Sequence, residues 1–335
     1  MKYIIVDTMN LFFRCKHIAG NKADPWLKIG MAMHLTLMST TKMFKDHNGD
    51  HVVFVTEGKG SWRREIYEQY KNNRKVARAA LTEEQQEEDK LFFEAYLDLV
   101  KFLDERTNCT VLNVPRAEGD DLIARWIQTH PEDEHVIIST DSDFVQLLAP
   151  NVSQFNGVSE RLYTIDGVFD VKGKPVIDNK TKEPMTVDPE WELFLKCVRG
   201  DPGDGIFSAY PGAYLKSTKN RIGIKEAYED KVSKGYAWNN FMLQRWVDHN
   251  DVEHRVLDDY ERNCMLIDLT KQPADIVQAI DAAIKQAEQK PVKQMVGAHL
   301  LKFCAKYELN SIAKFPTDVA NCLNSINPNP KTETK

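Results

Sequence analysis

Four short apolar runs punctuate the first half of the chain: YIIV (3–6), VVFVT (52–56), TVLNV (110–114) and VIIST (136–140). β-branched and aromatic residues dominate them and polar residues bound them, which predicts buried strands. Between the runs, apolar positions recur three and four apart. Residues 28–45 carry Met and Leu at that spacing, LFFEAYLDLVKFL (91–103) is amphipathic, and 121–129 repeats the pattern. These segments predict helices. Strand alternating with helix implies an α/β fold, with a parallel-rich central sheet flanked by helices. A less regular stretch, 151–190, contains FDVKGKPVIDNKTKEP (169–184), which reads as a hairpin with polar turns. From 190 onward the pattern is mostly helical. The end, NPNPKTETK (327–335), has nothing to bury and predicts a disordered tail. The expected division is a core over 1–190, a helical region over 191–326 and the tail.

Composition narrows the class. The 335 residues, 42% of them hydrophobic, suffice for one large or two modest domains, and no apolar run approaches a membrane span. MKYIIVDTMN reads as a strand rather than a signal peptide, because Asp7 interrupts the apolar run early. The six cysteines are scattered without C-x-x-C spacing, which favours a reducing cytoplasm over a zinc site or a disulfide framework. The net charge of −6 argues globally against a nucleic-acid binder, but its distribution does not. Between Gly58 and Arg78 stand Lys59, Arg63, Arg64, Lys71, Arg74, Lys75 and Arg78 against only Glu65 and Glu68, a local charge of 7 − 2 = +5. TEEQQEEDK (82–90) then swings acidic.

Each strand run is followed by carboxylates. Asp7 follows the first, Glu57 the second, Glu118, Asp120 and Asp121 the third, and Asp141 and Asp143 the fourth. In an open parallel sheet the C-terminal ends of the strands line one edge, where ligands bind. Taken singly, these acids have ordinary explanations: RAEGDDLIARW (116–126) offers a helix cap, and STDSDF (139–144) a capped turn. Taken together, seven acids at one edge cannot all stay ionised without a counter-charge. Oxygen ligands without His or Cys suit Mg²⁺ or Mn²⁺, and two such ions commonly serve phosphodiester hydrolysis.

The stretches IIVDTMNLFFR (4–14), EGKGSWRREIYEQYKNNR (57–74), AEGDDLIA (117–124), IISTDSDFVQLL (137–148) and RGDPGDGI (199–206) resemble, in order and spacing, the 5′ nuclease family. That family comprises flap endonucleases, the 5′ nuclease domain of bacterial DNA polymerase I and phage 5′→3′ exonucleases, with the ribonuclease H of T-even phages closest in pattern. The resemblance implies a PIN-like nuclease core with a flexible arch near 58–90. It implies metal-site acids at Asp7, Glu57, Glu118, Asp120, Asp121, Asp141, Asp143, Asp201 and Asp204, with Glu57 standing where the family usually has Asp. Lys71 and Arg74 map to the base of the arch, where a lysine contacts the scissile phosphate and a tyrosine, here Tyr70, can stack on an unpaired base. Nucleic-acid contacts are expected from Arg63, Arg64, Tyr70, Lys71 and Arg74. They are also expected from Arg221, Gly223 and Lys225 in RIGIKEA (221–227), which resembles half of the family's helix–three-turn–helix.

The implied function is a two-metal, Mg²⁺-dependent 5′→3′ exonuclease and flap endonuclease. Its substrates would be flapped or branched DNA and RNA–DNA hybrids, and its role the removal of RNA primers during replication, in the cytoplasm of a host if the source is a phage. A single-strand DNA-binding protein or a sliding clamp is the implied protein partner, with the region after 290 as docking surface. Two other readings stay open at this point: a PIN-type endoribonuclease, and a DNA-junction binding protein with impaired catalysis.

Overall fold

The computed structural model describes residues 1–18, 24–210, 223–248 and 250–327. The chain forms two compact units: residues 1–61, 81–187 and 273 onward make the first, and residues 62–80 with 188–272 the second.

The first unit is built on one seven-stranded sheet. Its strands are β1 (Lys2–Asp7), β2 (His51–Val55), β3 (Thr110–Leu112), β4 (Glu134–Ile138), β5 (Val152–Asn156), β6 (Arg161–Thr164) and β7 (Gly167–Asp170), in the order β3-β2-β1-β4-β5-β6-β7. The pairings from β3 through to β5 are parallel, and β6 and β7 are added antiparallel. The four apolar runs supply β1, β2, β3 and β4; the centres of β1, β2 and β4 are buried on both faces, as a parallel sheet requires, and Val111 at the centre of the edge strand β3 is half-buried. The helices Pro25–Asp46 and Glu83–Arg106 cover one face, where Met33, Leu37, Phe92 and Leu99 pack on Ile4, Val52 and Phe54.

Two expected boundaries move. The helical region expected over 191–326 is divided, because its last four helices, from Ala274 to Leu323, belong to the first unit. Val296, Leu300, Phe303, Ile312, Val319 and Leu323 are apolar at helical spacing and join the same core as Ile4 and Phe102. The acidic run 82–90, expected as part of a mobile arch, forms the first turns of Glu83–Arg106. Thr82 caps that helix by accepting from the Gln85 N–H, and Gln85 accepts in return from the Thr82 N–H.

The second unit holds the short helices Arg63–Ile66 and Asn72–Ala79, then Pro189–Arg199, Ile224–Glu229, Tyr236–Met242 and Val256–Ile267. A small hairpin, β8 (Arg245–Val247) with β9 (Glu253–Arg255), had no counterpart in the sequence reading. Phe194, Val198, Ile224, Trp238, Phe241 and Val256 form its core. Arg221 and the first half of the proposed helix–three-turn–helix lie outside the described residues. Gly223 opens the helix Ile224–Glu229 at φ 75°, and Lys225 on it is exposed, within 3.9 Å of Glu229. The expected tail lies outside the described residues from 328 onward. Among the described residues no helix is long and apolar enough to cross a membrane.

Candidate metal centre and active site

The register of the sheet puts the first unit's acids at one edge. Val6 pairs with Phe54 of β2 and with Ile138 of β4, so β1, β2 and β4 end level with one another. The next residues are Asp7 on β1, Ser139 leading to Asp141 after β4, and the loop carrying Glu57 after β2. β3 runs parallel beside β2 and leads through a short loop to the helix Gly119–Thr129. Gly58 makes that loop pairing possible. Its N–H donates to the Ala117 carbonyl at 3.1 Å, and a Cβ at position 58 would fall 1.8 Å from the Val114 carbonyl oxygen.

Asp7 is the electrostatic centre of this edge. It accepts from Ser139 Oγ at 2.9 Å and from the Asn10 N–H at 3.2 Å, both of which favour its ionised form. Burial nevertheless pushes its pKa up to about 7, with the negative fields of Asp141 and Asp120 adding to the rise. Buried Tyr96, on Glu83–Arg106, has a hydroxyl without a hydrogen-bond partner among the described residues, and the fields of Asp7 and Glu57 both reach it.

The three acids of the Glu118–Asp121 stretch divide their work. Asp121 is fully buried and accepts from the Glu118 N–H at 3.0 Å, which starts the helix. Glu118 is buried at the N-cap, and Asp120 is the half-buried one that Asp7 senses. The bland explanation, a cap, therefore accounts for Asp121 but not for Asp120. Asp141 also caps: its carboxylate accepts from the Asp143 N–H at 3.0 Å, opening the 3₁₀ turn Ser142–Leu147. Gln154 on β5 fixes that loop by donating to the Ser139 and Asp141 carbonyls at 3.1 and 2.6 Å. Glu57 is exposed, and its carbonyl accepts from Asn113 Nδ2.

These carboxylates share an edge without closing a cage, since no three Asp, Glu, His or Cys side chains among the described residues stand at direct metal-ligand spacing. The donor set is all oxygen, burial and neighbouring acids push Asp7 toward its protonated form, and the Tyr96 hydroxyl is left without a hydrogen-bond partner among the described residues. That combination fits a hydrated divalent cation, which reaches carboxylates through its own waters.

Asp201 and Asp204 lie in the second unit. Burial works against the ionised form of Asp201, but the Lys196 ammonium at 2.9 Å and the Gly203 and Asp204 amides more than offset it, holding its pKa below the usual range. Asp204 binds the basic segment. Arg74 Nη2 lies 2.6 Å from Oδ1, Tyr70 donates its hydroxyl to Oδ2 at 3.1 Å, and Lys71 Nζ stands 3.7 Å from Oδ2.

Tyr70 and Arg63 do not take the expected surface roles. Tyr70 is 2% exposed, packed with Cys197, Ile206 and Leu266, so its ring is not offered to an unpaired base. Arg63 is 1% exposed: its Nε donates to the Leu266 carbonyl at 2.7 Å and its guanidinium covers the Trp62 ring, so it cannot serve as a surface contact for nucleic acid. Arg64 and Arg74 are exposed. Sequence reasoning missed Ser139, Asn10, Gln154 and Tyr96, which orient or surround the acids. The first three carry no charge, and Tyr96 reads as one more apolar position of an amphipathic helix.

The profile of the family described as 5′-3′ exonuclease, N-terminal resolvase-like domain, matches residues 2–173, more than half of the chain. The chain belongs to the 5′-3′ exonuclease family. It is 30% identical over 205 residues to the flap endonuclease of Escherichia phage T5, a match that spans 61% of this chain and 63% of that enzyme's length. It is 29% identical over 219 residues to flap endonuclease Xni of Shewanella loihica, covering 64% of this chain and 73% of the relative. In fold it is similar to the T5 D15 flap endonuclease, solved as a pseudo-enzyme–product complex with DNA and metal ions. The TM-score is 0.58 at 22% identity, over 86% of this chain and all of the other.

Proposed function

We propose that this member of the family is a divalent-metal-dependent flap endonuclease and 5′→3′ exonuclease. It hydrolyses phosphodiester bonds in flapped or branched DNA and in RNA–DNA hybrids, and removes RNA primers and displaced 5′ ends during replication. The observation that carries this reading is the row of carboxylates at the ends of β1, β4 and their neighbours, with Asp7 pushed to about 7 by burial and by Asp141 and Asp120. The relatives support the substrate class: the T5 and Shewanella loihica proteins are named flap endonucleases, and the T5 enzyme was solved with DNA and metal ions.

Asp7, Asp120, Asp141 and Asp143 would hold the cations, with Glu57 and Glu118 at the margins; Asp201 and Asp204 enter only through the resemblance. A bound pair of Mg²⁺ ions, or Mn²⁺ in their place, supplies water activation and neutralises charge at the phosphoryl oxygens. The chain's own residues set the geometry. Ser139 and the Asn10 amide aim the Asp7 carboxylate, and Gln154 holds the Asp141 loop in place. Lys71 steadies the scissile phosphate, and Arg74 carries a second positive charge in the same segment. A single-strand DNA-binding protein or a clamp remains the protein partner this reading implies.

The test is cleavage of a 5′-flap duplex and of an RNA–DNA hybrid in Mg²⁺. Asp141→Asn removes charge and little volume, so the fold should survive while cleavage falls by orders of magnitude. Wild-type turnover in Asp141→Asn would sink the assignment, and cleavage of the flap without the hybrid would remove the primer-processing role.

A further inference from the structure

The sheet extends past the catalytic edge into a lysine-bearing protrusion that the mechanism does not use. After β7 the chain continues as a meander, with Phe169 bridged to Pro175 and Ile177 to Pro184. It makes two turns of the same pattern, D-x-K-x-K: Asp170 to Lys174 and Asp178 to Lys182. In each, one aspartate organises the backbone. Asp170 Oδ1 accepts from the Lys172 and Lys174 amides at 2.8 and 2.9 Å, and Asp178 Oδ1 accepts from the Lys180 and Thr181 amides at 2.7 and 2.9 Å. Gly173 at φ 74° closes the first turn. All four lysine side chains are exposed, and none forms an ion pair among the described residues.

The register decides which end each turn occupies. Val6, Ile138, Phe155, Leu162 and Phe169 form one continuous row across β1, β4, β5, β6 and β7. Asp7 and Asp170 each come one residue after that row, on strands that run in the same direction. The Lys172–Lys174 turn therefore stands at the acid edge, and the Lys180–Lys182 turn at the opposite end. Their surroundings differ in charge. Near the first are Arg14, whose guanidinium lies against Gly157, and Arg161, which is paired across to Asp170. That gives four cations against Glu160 and Asp170. Near the second, Lys180 and Lys182 face three acids, Asp166, Asp178 and Glu183.

We propose that the turn carrying Lys172 and Lys174 is a second nucleic-acid contact, gripping the phosphate backbone of a duplex arm beyond the scissile site. This rests on the nuclease reading above. Three strand spacings separate β7 from β4 and four separate it from β1, about 14 to 19 Å at about 4.8 Å each. At about 3.4 Å of rise per base pair, the contact falls roughly four to six base pairs from the cleaved bond. A rigid turn with two free ammonium groups suits phosphates and carries no base readout, so the grip is on structure rather than sequence.

The experiment compares wild type, Lys172→Gln/Lys174→Gln and Lys180→Gln/Lys182→Gln, all first shown to melt alike. Each binds 5′-flap DNA in Ca²⁺ over a salt series, with duplex arms of three or ten base pairs. On ten-base-pair arms, the first variant should bind about tenfold more weakly at about 0.1 M salt, with a salt slope lower by nearly two, one phosphate contact per lysine. The second variant should match wild type, and all three should converge on three-base-pair arms. Equal binding by the Lys172→Gln/Lys174→Gln protein, while wild type still binds and cleaves the flap, overturns the contact and leaves the nuclease reading standing. Equal losses in both variants also overturn it, since they would report a diffuse field. A wild-type protein that binds no flap overturns both.

Discussion

Tyr70 and Asp204, 134 residues apart, are joined by a hydrogen bond of 3.1 Å, and the neighbouring Lys71 N–H donates to the Asp204 carbonyl at 2.7 Å. Asn73 adds bonds to the Pro202 and Gly203 carbonyls, so YKNNR and GDPGD form one knot within the second unit. Tyr70 is thus a structural member of that knot.

Tyr70→Phe should therefore lower stability and leave binding of the single-stranded flap unchanged. A hydrogen bond to a charged acceptor contributes about 1.5–3 kcal/mol, and Arg74 and Lys71 remain to hold Asp204, so the loss should sit at the lower end. Chemical denaturation and flap binding in Ca²⁺ measure the two effects. A large binding defect with no loss of stability would restore the stacking role.

Lys71→Ala distinguishes a phosphate contact from a diffuse field. If Lys71 only adds to the local charge, the loss should resemble that of exposed Lys75→Ala: weaker binding and a salt slope lower by about one. If it touches the scissile phosphate, binding should change little while single-turnover cleavage falls by about a hundredfold or more. We expect the second outcome, measured at saturating enzyme on a 5′-flap duplex.

The strands of the core were readable because burial on both faces leaves an uninterrupted apolar run, and the first unit's acids because they follow such runs directly or within a few residues; Asp201 and Asp204 follow none and were legible only through the resemblance. VSQFN, which becomes β5, mixes Ser and Gln into the strand and carries no such signal; Gln154 is buried there because the Ser139 and Asp141 carbonyls need a donor. Tyr70 and Arg63 misled for the opposite reason. A Tyr or Arg in a basic segment reads as surface, and only the tertiary partners, Asp204 and the Leu266 carbonyl, show them turned inward. The return of Val296–Lys306 to the sheet's core was equally invisible, since helical spacing does not say which core a helix joins.

Metal should stabilise the protein through Asp7. Its folded pKa of about 7 lies above the usual carboxylate range, so the folded state keeps a proton that the unfolded state loses. In metal-free protein this makes stability fall as pH rises from about 4 to 7, and the penalty is complete above that. Asp7→Asn should therefore raise the metal-free Tm at pH 8 and change it little at pH 4. Mg²⁺ should raise the wild-type Tm at pH 8 more than that of the variant. Melting curves in EDTA and in Mg²⁺ at the two pH values check this; identical responses would mean that Asp7 is not part of a cation site.

His51 sets a limit on the acid side. It is fully buried on β2, with Nδ1 2.8 Å from the Ser325 carbonyl oxygen and Nε2 2.9 Å from Thr110 Oγ1. Burial pulls its pKa down to about 4; the Ser325 carbonyl opposes the shift and His130 adds to it. The unfolded chain takes up a proton near the ordinary value of about 6.5, whereas the folded chain resists until about 4. Stability is therefore fully present above pH 6.5 and is lost as pH falls toward 4. The gap corresponds to roughly 3 kcal/mol. Buried His135, shifted down by burial as well, steepens the same limb. Replacing His51 by Gln removes the titration together with its ring contacts, so the variant should be less stable at pH 7 but should lose less on going to pH 4.5. Urea denaturation at pH 7, 5.5 and 4.5, on wild type and His51→Gln in parallel, reads the slope. A variant whose stability falls with acid as steeply as wild type would place the acid sensitivity elsewhere in the fold.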